Sequence, residues 1–195
     1  MNKNRLEAFS DGVLAIIITI MVLEFKVPHG GNINDLKPLI PVFLSYVLSF
    51  IYVGIYWGNH HHLLHTVRNI TPGMIWANMT LLFFLSLIPF GTDWMGENHF
   101  ASHTVAMYGL ILFLSGGAYG LLQTIVEKNS VDKDGFNAAF SKMKIKAFIS
   151  TILYLCAIAF VFYFPPISQI IFVVVAFIWL IPDRNIEKAI LNSAN

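Results

Sequence analysis

The chain is poor in charge and in cysteine, and both shortages narrow its class. Only 12% of its 195 residues are charged and 56% are hydrophobic, whereas an average globular protein carries about 25% charged residues. A net charge of +1 gives no reason to expect a nucleic-acid partner. The single cysteine, Cys156, excludes an intramolecular disulfide framework. The composition therefore indicates an integral membrane protein.

The sequence also lacks a separate polar domain and the features of a cleavable leader. The longest polar loop, about 127–142, is too short to fold alone. The basic N-terminus is interrupted by Glu7 and Asp11, and no small-residue cleavage site follows Leu23, so we do not expect a cleaved signal peptide. We expect a single transmembrane domain over residues 1–195.

Long apolar runs dominate the rest of the chain. A hydrocarbon core about 30 Å thick is crossed by about 20 apolar helical residues. Because the runs are continuous rather than alternating, they predict helices and not a barrel. Six segments qualify, the last being the shortest: 5–27, 38–64, 73–95, 101–127, 143–164 and 167–182. We predict an all-α membrane protein with six transmembrane helices, embedded in a lipid bilayer.

Basic residues are distributed unevenly over the loops. With the N-terminus in the cytoplasm, ten lysines and arginines fall in cytoplasmic segments, and only Lys26 and Lys37 fall in outer ones. Cytoplasmic loops of multi-pass proteins carry this excess. The bias predicts that both termini are cytoplasmic.

The first span has two chemically different faces. At about 100° per residue, one stripe of its helical wheel contains Ile16, Thr19, Ile20 and Leu23. Asp11 lies about 140° from Ile16 on that wheel. The stripe has two interpretations: ordinary packing or lipid contact, and the lining of a pore that closes by dewetting. The Thr19 hydroxyl also has two interpretations: a hydrogen bond to the backbone of its own helix, or an oxygen ligand for a cation.

Asp11 needs a partner, since an ionisable residue at the edge of a span is costly. Arg5 is six residues away, a poor spacing for contact on one helix. We therefore expect Asp11 to join a buried network with the end of the second span, where an indole and imidazoles could bond to it. The candidates are Trp57, His60, His61, His62 and His65.

The histidines suggest two further roles. His61 and His65 have the i, i+4 spacing with which one helix face chelates a metal, but no third ligand of matching type stands out. We therefore predict no metal site, no cofactor and no enzyme, which would also need a general base in reach. A pH-sensing role is the other reading, because histidine titrates near neutrality.

Several of these residues fall into a pattern that resembles the transmembrane protein 175 family of potassium channels. The first helix opens with the family's signature at Arg5, Phe9, Ser10 and Asp11. The Trp57-x-x-His60 pair and the spacing from Asn78 to Pro89 are similar to the family as well. The specific match covers about the first 25 residues, with thinner support to about residue 90 and only topology beyond it.

The resemblance implies a passive, potassium-preferring cation channel of a bacterial plasma (inner) membrane. In the family, the first helices of four subunits line a central pore, so a homotetramer is implied. Carried over by position, Ile16 is the narrowest apolar ring, Leu23 is another, and Thr19 forms the layer tied to potassium preference. The sequence has no TVGYG-like loop, so the usual filter is absent.

The resemblance gives the signature residues a structural role. Arg5, Ser10 and Asp11 would hold the first helix to its neighbours through Trp57 and a histidine at position 60 or 61. The permeant species would be potassium, with other monovalent cations or protons also open. The alternative function is a proton channel or proton-coupled transporter that uses Asp11 and the histidines.

Overall fold

The protein is all-α, as predicted. The computed structural model describes residues 2–130 and 133–180, with the side chains of 133–139 excepted, and contains no strand within them. Within these described residues, five helical segments are long and apolar enough to cross a membrane. The helices are α1 (Lys3–Leu23), α2 (Ile40–His65), α3 (Pro72–Leu85), α4 (Ile88–Glu97), α5 (Ser102–Lys128), α6 (Lys133–Phe160) and α7 (Pro165–Leu180), with a 3-10 helix over Ile33–Leu39 before α2.

The helix boundaries follow from local chemistry. The side chain of Asn2 caps α1 by accepting a hydrogen bond from the Asn4 amide at 3.2 Å. The Thr71 hydroxyl caps α3 by accepting one from the Met74 amide at 3.3 Å. Such residues satisfy amides that the first helical turn leaves without partners.

The third predicted span, 73–95, consists of two helices instead of one. α3 ends at Leu85 and α4 begins at Ile88. Pro89 in the first turn of α4 explains the break, because it has no amide hydrogen and its ring clashes with the carbonyl four residues earlier. Together the two helices cover Pro72–Glu97, which is long enough for one crossing.

Other boundaries differ from the predicted spans by a few residues to a few turns. The predicted start of the second span lies inside the 3-10 helix, which precedes α2. The fifth begins at Lys133, ten positions before the predicted 143. α7 has 16 residues, or about 24 Å at about 1.5 Å per residue, and the last two positions of the predicted span 167–182 lie outside the described residues.

The helices pack around α5, which contacts α3, α4, α6 and α7. α1 lies on one side of this bundle against α2, α3 and α4, while α7 packs against α6, α2 and α5. Polar bonds link the helices inside the bundle: the Thr92 hydroxyl donates to Ser49 at 2.6 Å, and Ser49 lies 2.9 Å from the Tyr108 hydroxyl. Hydrogen bonds between membrane helices are worth about 0.6 kcal/mol each on average.

Candidate functional site

The two faces of α1 differ sharply in burial. The bundle covers one face almost completely, leaving 0–2% exposure at Leu6, Ser10, Leu14, Ile17 and Met21. The predicted stripe lies on the other face, with Ile16 58% exposed, Ile20 41% and Leu23 78%. Thr19 is exposed between them. In the single chain, the described residues therefore leave this apolar face largely uncovered.

The exposed face combines apolar bulk with small and polar residues. Gly12 lies on it, and a methyl group added there would meet nothing within 4 Å. The Thr19 hydroxyl donates to the Ile16 carbonyl at 2.9 Å. A hydroxyl has one hydrogen and two lone pairs, so this bond leaves the oxygen able to accept or to coordinate a cation.

A groove between α1 and α4 runs along this face. Its wall includes Ile16 and Ile20, and its far end carries the carboxylates of Glu24 and Asp93. Near the same end, Lys26 pairs with Glu97, and this hydrogen bond with the neighbouring negative charge raises the pKa of Lys26. Negative charges at the mouth of a cleft raise the local concentration of cations.

A buried polar chain fixes the other face of α1. Ser10 is fully buried; its hydroxyl accepts a hydrogen bond from the Asn78 amide at 2.9 Å and donates to the Leu6 carbonyl at 2.8 Å. The Asn78 carbonyl oxygen lies 2.7 Å from Nε2 of His60, which is 2% exposed. Every member of this Ser10–Asn78–His60 chain is satisfied, so the chain sets the rotation of α1 against α2 and α3.

Asp11 has the expected kind of partner but not the expected burial. The indole nitrogen of Trp57 donates to its carboxylate at 3.0 Å, and both side chains are exposed in the single chain. No histidine of the described chain is hydrogen-bonded to Asp11. The reason is angular: Ser10 faces the bundle, and the next residue is turned by about 100° to the edge of the helix.

The remaining signature residues lie outside the buried chain. Phe9 is 50% exposed on the same side as the stripe. Arg5 is exposed, and no described side chain forms an ion pair with it. His61 is exposed, and its ring stacks on Trp57 at 6.5 Å. The chain thus uses His60, and not His61, to reach Asn78.

Sequence reasoning missed one residue of this region, Glu7. In the structure Glu7 lies beside His61 and His65, with one ligand atom of each residue within 4.8 Å of the others. The available signal was helical spacing, because Glu7 precedes the polar pair Ser10 and Asp11 by one turn and therefore faces the same neighbouring helices.

Comparisons with known proteins show to which family the chain is similar. The sequence model described as "Endosomal/lysosomal potassium channel TMEM175" matches residues 5–89, which contain the whole network above. A protein from a Chryseobacterium species named as a potassium channel is 50% identical over 190 residues, covering 97% of this chain and 98% of that protein. The human endosomal/lysosomal proton channel TMEM175 is 36% identical over 101 residues, covering 46% of this chain but 20% of its own length.

A solved structure extends the likeness to nearly the whole fold. It is the crystal structure of a lysosomal potassium-selective channel TMEM175 homolog from Chamaesiphon minutus, with a TM-score of 0.78 and 27% identity. The match covers 91% of this chain and 96% of that one. The apolar helices and the bacterial relatives confirm a multi-pass membrane protein. The chain belongs to the TMEM175 family, a family of channels and not of enzymes.

Proposed function

We propose that the protein is a potassium-preferring cation channel that conducts passively along α1. Four copies would assemble as a homotetramer, with the exposed face of each α1 turned to a shared axis. One observation carries this proposal: the face with Ile16, Thr19, Ile20 and Leu23 is exposed, while the opposite face is fixed in the bundle. The names of the bacterial relatives, which are potassium channels, support the permeant ion.

The constriction follows from the side chains on this face. Around an axis, Ile16 would form an apolar ring that excludes water when narrow, and Leu23 would form a second ring further along. Between them, Thr19 would present hydroxyl oxygens whose lone pairs remain free. Hydroxyl oxygens can replace part of the hydration shell of potassium, which is held less tightly than that of sodium.

The geometry gives less support to a route for protons through Asp11 and the histidines. Asp11 is bonded to Trp57, and His60 to Asn78, so within the described residues no hydrogen-bonded path joins the carboxylate to a histidine. The mammalian relatives named proton channels match less than half of this chain. Potassium conduction is therefore the function we propose.

Flux into liposomes tests the conducted ion. The purified full chain should pass potassium down its gradient faster than sodium, with no energy source and no imposed proton gradient. Flux equal to that of empty liposomes, or flux that requires a proton gradient, would overturn the proposal.

Cross-linking tests the pore axis. With Cys156 replaced by serine, Ile16→Cys should form intersubunit products with a short bifunctional thiol reagent, because four α1 helices would meet there. Ile170→Cys on the outer face of α7 is the matched control, since its side chain is 61% exposed, close to the 58% of Ile16. Products from Ile170→Cys alone would contradict a pore lined by α1.

A further inference from the structure

Three side chains of the types that bind metals meet where α1 begins and α2 ends. Glu7 lies in the second turn of α1, and His61 and His65 occupy the last two turns of α2. One donor atom from each lies within 4.8 Å of the other two, and the His61 and His65 rings are 4.5 Å apart. A tetrahedral metal with bonds of about 2.0–2.1 Å holds its donors about 3.3 Å apart, so small side-chain rotations would close the site.

The carboxylate of Glu7 is unusually available for a ligand. Its Oε1 is buried and accepts no hydrogen bond within the described residues. The nearest cation is Lys3, whose Nζ is 3.9 Å from that oxygen, which forms an ion pair but is too long for a hydrogen bond. A buried carboxylate oxygen without a donor is costly and gains most from a cation placed against it.

We propose that Glu7, His61 and His65 form a binding site for a first-row transition metal, with Zn²⁺ as the fitting ion. Two imidazole nitrogens and one carboxylate oxygen are the donors that Zn²⁺ takes in three-ligand protein sites, with water in the fourth position. Mg²⁺ and Ca²⁺ prefer all-oxygen surroundings and are excluded by the two histidines. The site is complete within one chain and lies on the side of the membrane that carries the N-terminus.

The bound metal would link α1 directly to α2. The site is one turn from Ser10 and Asp11, so it would add a third connection beside the Ser10–Asn78–His60 chain and the Asp11–Trp57 bond. If α1 lines the pore, as proposed above, the metal would reduce the freedom of the pore helix and so change the rate of ion flux. This last step rests on the proposed function, whereas metal binding itself does not.

Titration of Zn²⁺ alone into the purified full chain, carried on a histidine-free affinity tag, tests the site. We expect saturation at one ion per chain and a rise in the thermal unfolding temperature with added Zn²⁺. Glu7→Gln and His65→Ala should each weaken Zn²⁺ binding by at least about tenfold. Loss of a residue that only bonds to a metal ligand already costs about that much, and loss of a ligand itself should cost more. Lys3→Gln should tighten binding, because it removes the competing charge.

His99→Ala is the control, because this exposed histidine lies far from the proposed site. It follows α4, whose end pairs with the loop after α1, and the length of α1 places that loop about 25 Å from Glu7. The affinity of His99→Ala for Zn²⁺ should equal that of the unchanged chain. Unfolding without metal checks that each variant is folded. No saturable binding, or unchanged affinity in both Glu7→Gln and His65→Ala, overturns the site.

Flux separates this inference from the proposed function. In liposomes, Zn²⁺ on the side of the N-terminus should change the potassium flux through the unchanged chain. The same change in His65→Ala should require at least about a tenfold higher Zn²⁺ concentration. Zn²⁺ binding with no potassium flux would reject the channel and leave the metal site standing. Potassium flux without Zn²⁺ binding would reject the site alone.

Discussion

α1 and α7 both present an apolar stripe outwards, yet the two stripes differ in kind. The stripe of α7 contains only large apolar residues, with Ile170, Phe177 and Leu180 at 52–61% exposure. The stripe of α1 interrupts similar residues with Gly12 and Thr19. Glycine costs a helix about 1 kcal/mol and gains nothing against lipid, whereas it permits close approach of another helix. In the proposed tetramer, comparable exposure would therefore have different meanings: lipid contact for α7 and contact between subunits for α1.

The buried faces of the two helices differ as well. α7 is held by apolar packing of Phe172 and Val175 and by separate bonds to its neighbours: the Ser168 hydroxyl donates to the Ala157 carbonyl at 2.7 Å, the Trp179 indole donates to the Ser150 hydroxyl at 2.9 Å, and the Tyr52 hydroxyl donates to the Phe172 carbonyl at 2.6 Å. α1 is held by bonds that are joined to one another: Ser10 bonds to Asn78 of α3, which bonds in turn to His60 of α2. A chain of bonds that ties one helix to two others restricts its rotation more strictly than separate bonds do, which would suit a helix whose outer face points at the axis of the proposed tetramer.

The largest expected effect comes from breaking the buried bonds of α1. Asn78→Leu removes the donor to Ser10 and the partner of His60, leaving a buried imidazole unsatisfied at a cost of about 1–3 kcal/mol. We expect the free energy of unfolding in detergent to fall by the same amount. We also expect loss of potassium flux, because α1 would be free to rotate.

Ser168→Ala on α7 is the matched control for that change. It removes one hydroxyl donor, so it should cost about 0.6 kcal/mol and leave the flux unchanged. Equal destabilisation by the two variants would show that α1 and α7 are held in the same way.

The next effect should appear at the stripes themselves. Ile16→Asn places an amide in the apolar ring, which should hold water there and change potassium flux by at least about tenfold, or about 1.4 kcal/mol in the barrier. Ile170→Asn makes the same exchange on α7 and should leave the flux per assembled channel unchanged. Liposome flux normalised to reconstituted protein measures both, and an effect at position 170 alone would reverse our assignment of the faces.

The sequence was sufficient to predict the all-α class, the family and the grouping of Ile16 with Thr19, Ile20 and Leu23 on one face of α1. Apolar length and helical periodicity are local properties of the sequence. It predicted one helix over 73–95, although Pro89 was visible, because a proline can kink a membrane helix as well as end it. It predicted that Asp11 joins a buried network, and it gave Ser10 only as part of the family signature. Only the packed neighbours decide which of two adjacent residues faces the bundle, and the same holds for Glu7, whose partners lie more than fifty residues away.

A smaller effect is expected from the hydroxyl on the α1 stripe. Thr19→Val keeps the shape but removes the oxygen, so the preference for potassium over sodium should fall by about threefold, less than 1 kcal/mol. Thr19→Ser keeps the hydroxyl and should retain most of the preference. Bi-ionic flux measurements compare the two variants. An unchanged ratio in Thr19→Val would remove Thr19 from the ion path and leave the apolar rings alone on this face.

The smallest effect on ion preference should come from Asp11, at the boundary between the two faces of α1. Asp11→Ala removes the acceptor of the exposed Trp57 bond and should cost about 0.5–1 kcal/mol of stability or assembly, the low end for a hydrogen bond. Asp11→Asn keeps an acceptor oxygen and should cost less. Because the carboxylate is turned away from Ile16, neither variant should change the potassium-to-sodium ratio of intact channels. Intact channels with an altered ratio would place Asp11 on the conducting face and would move the boundary between the two faces by about a quarter of a turn.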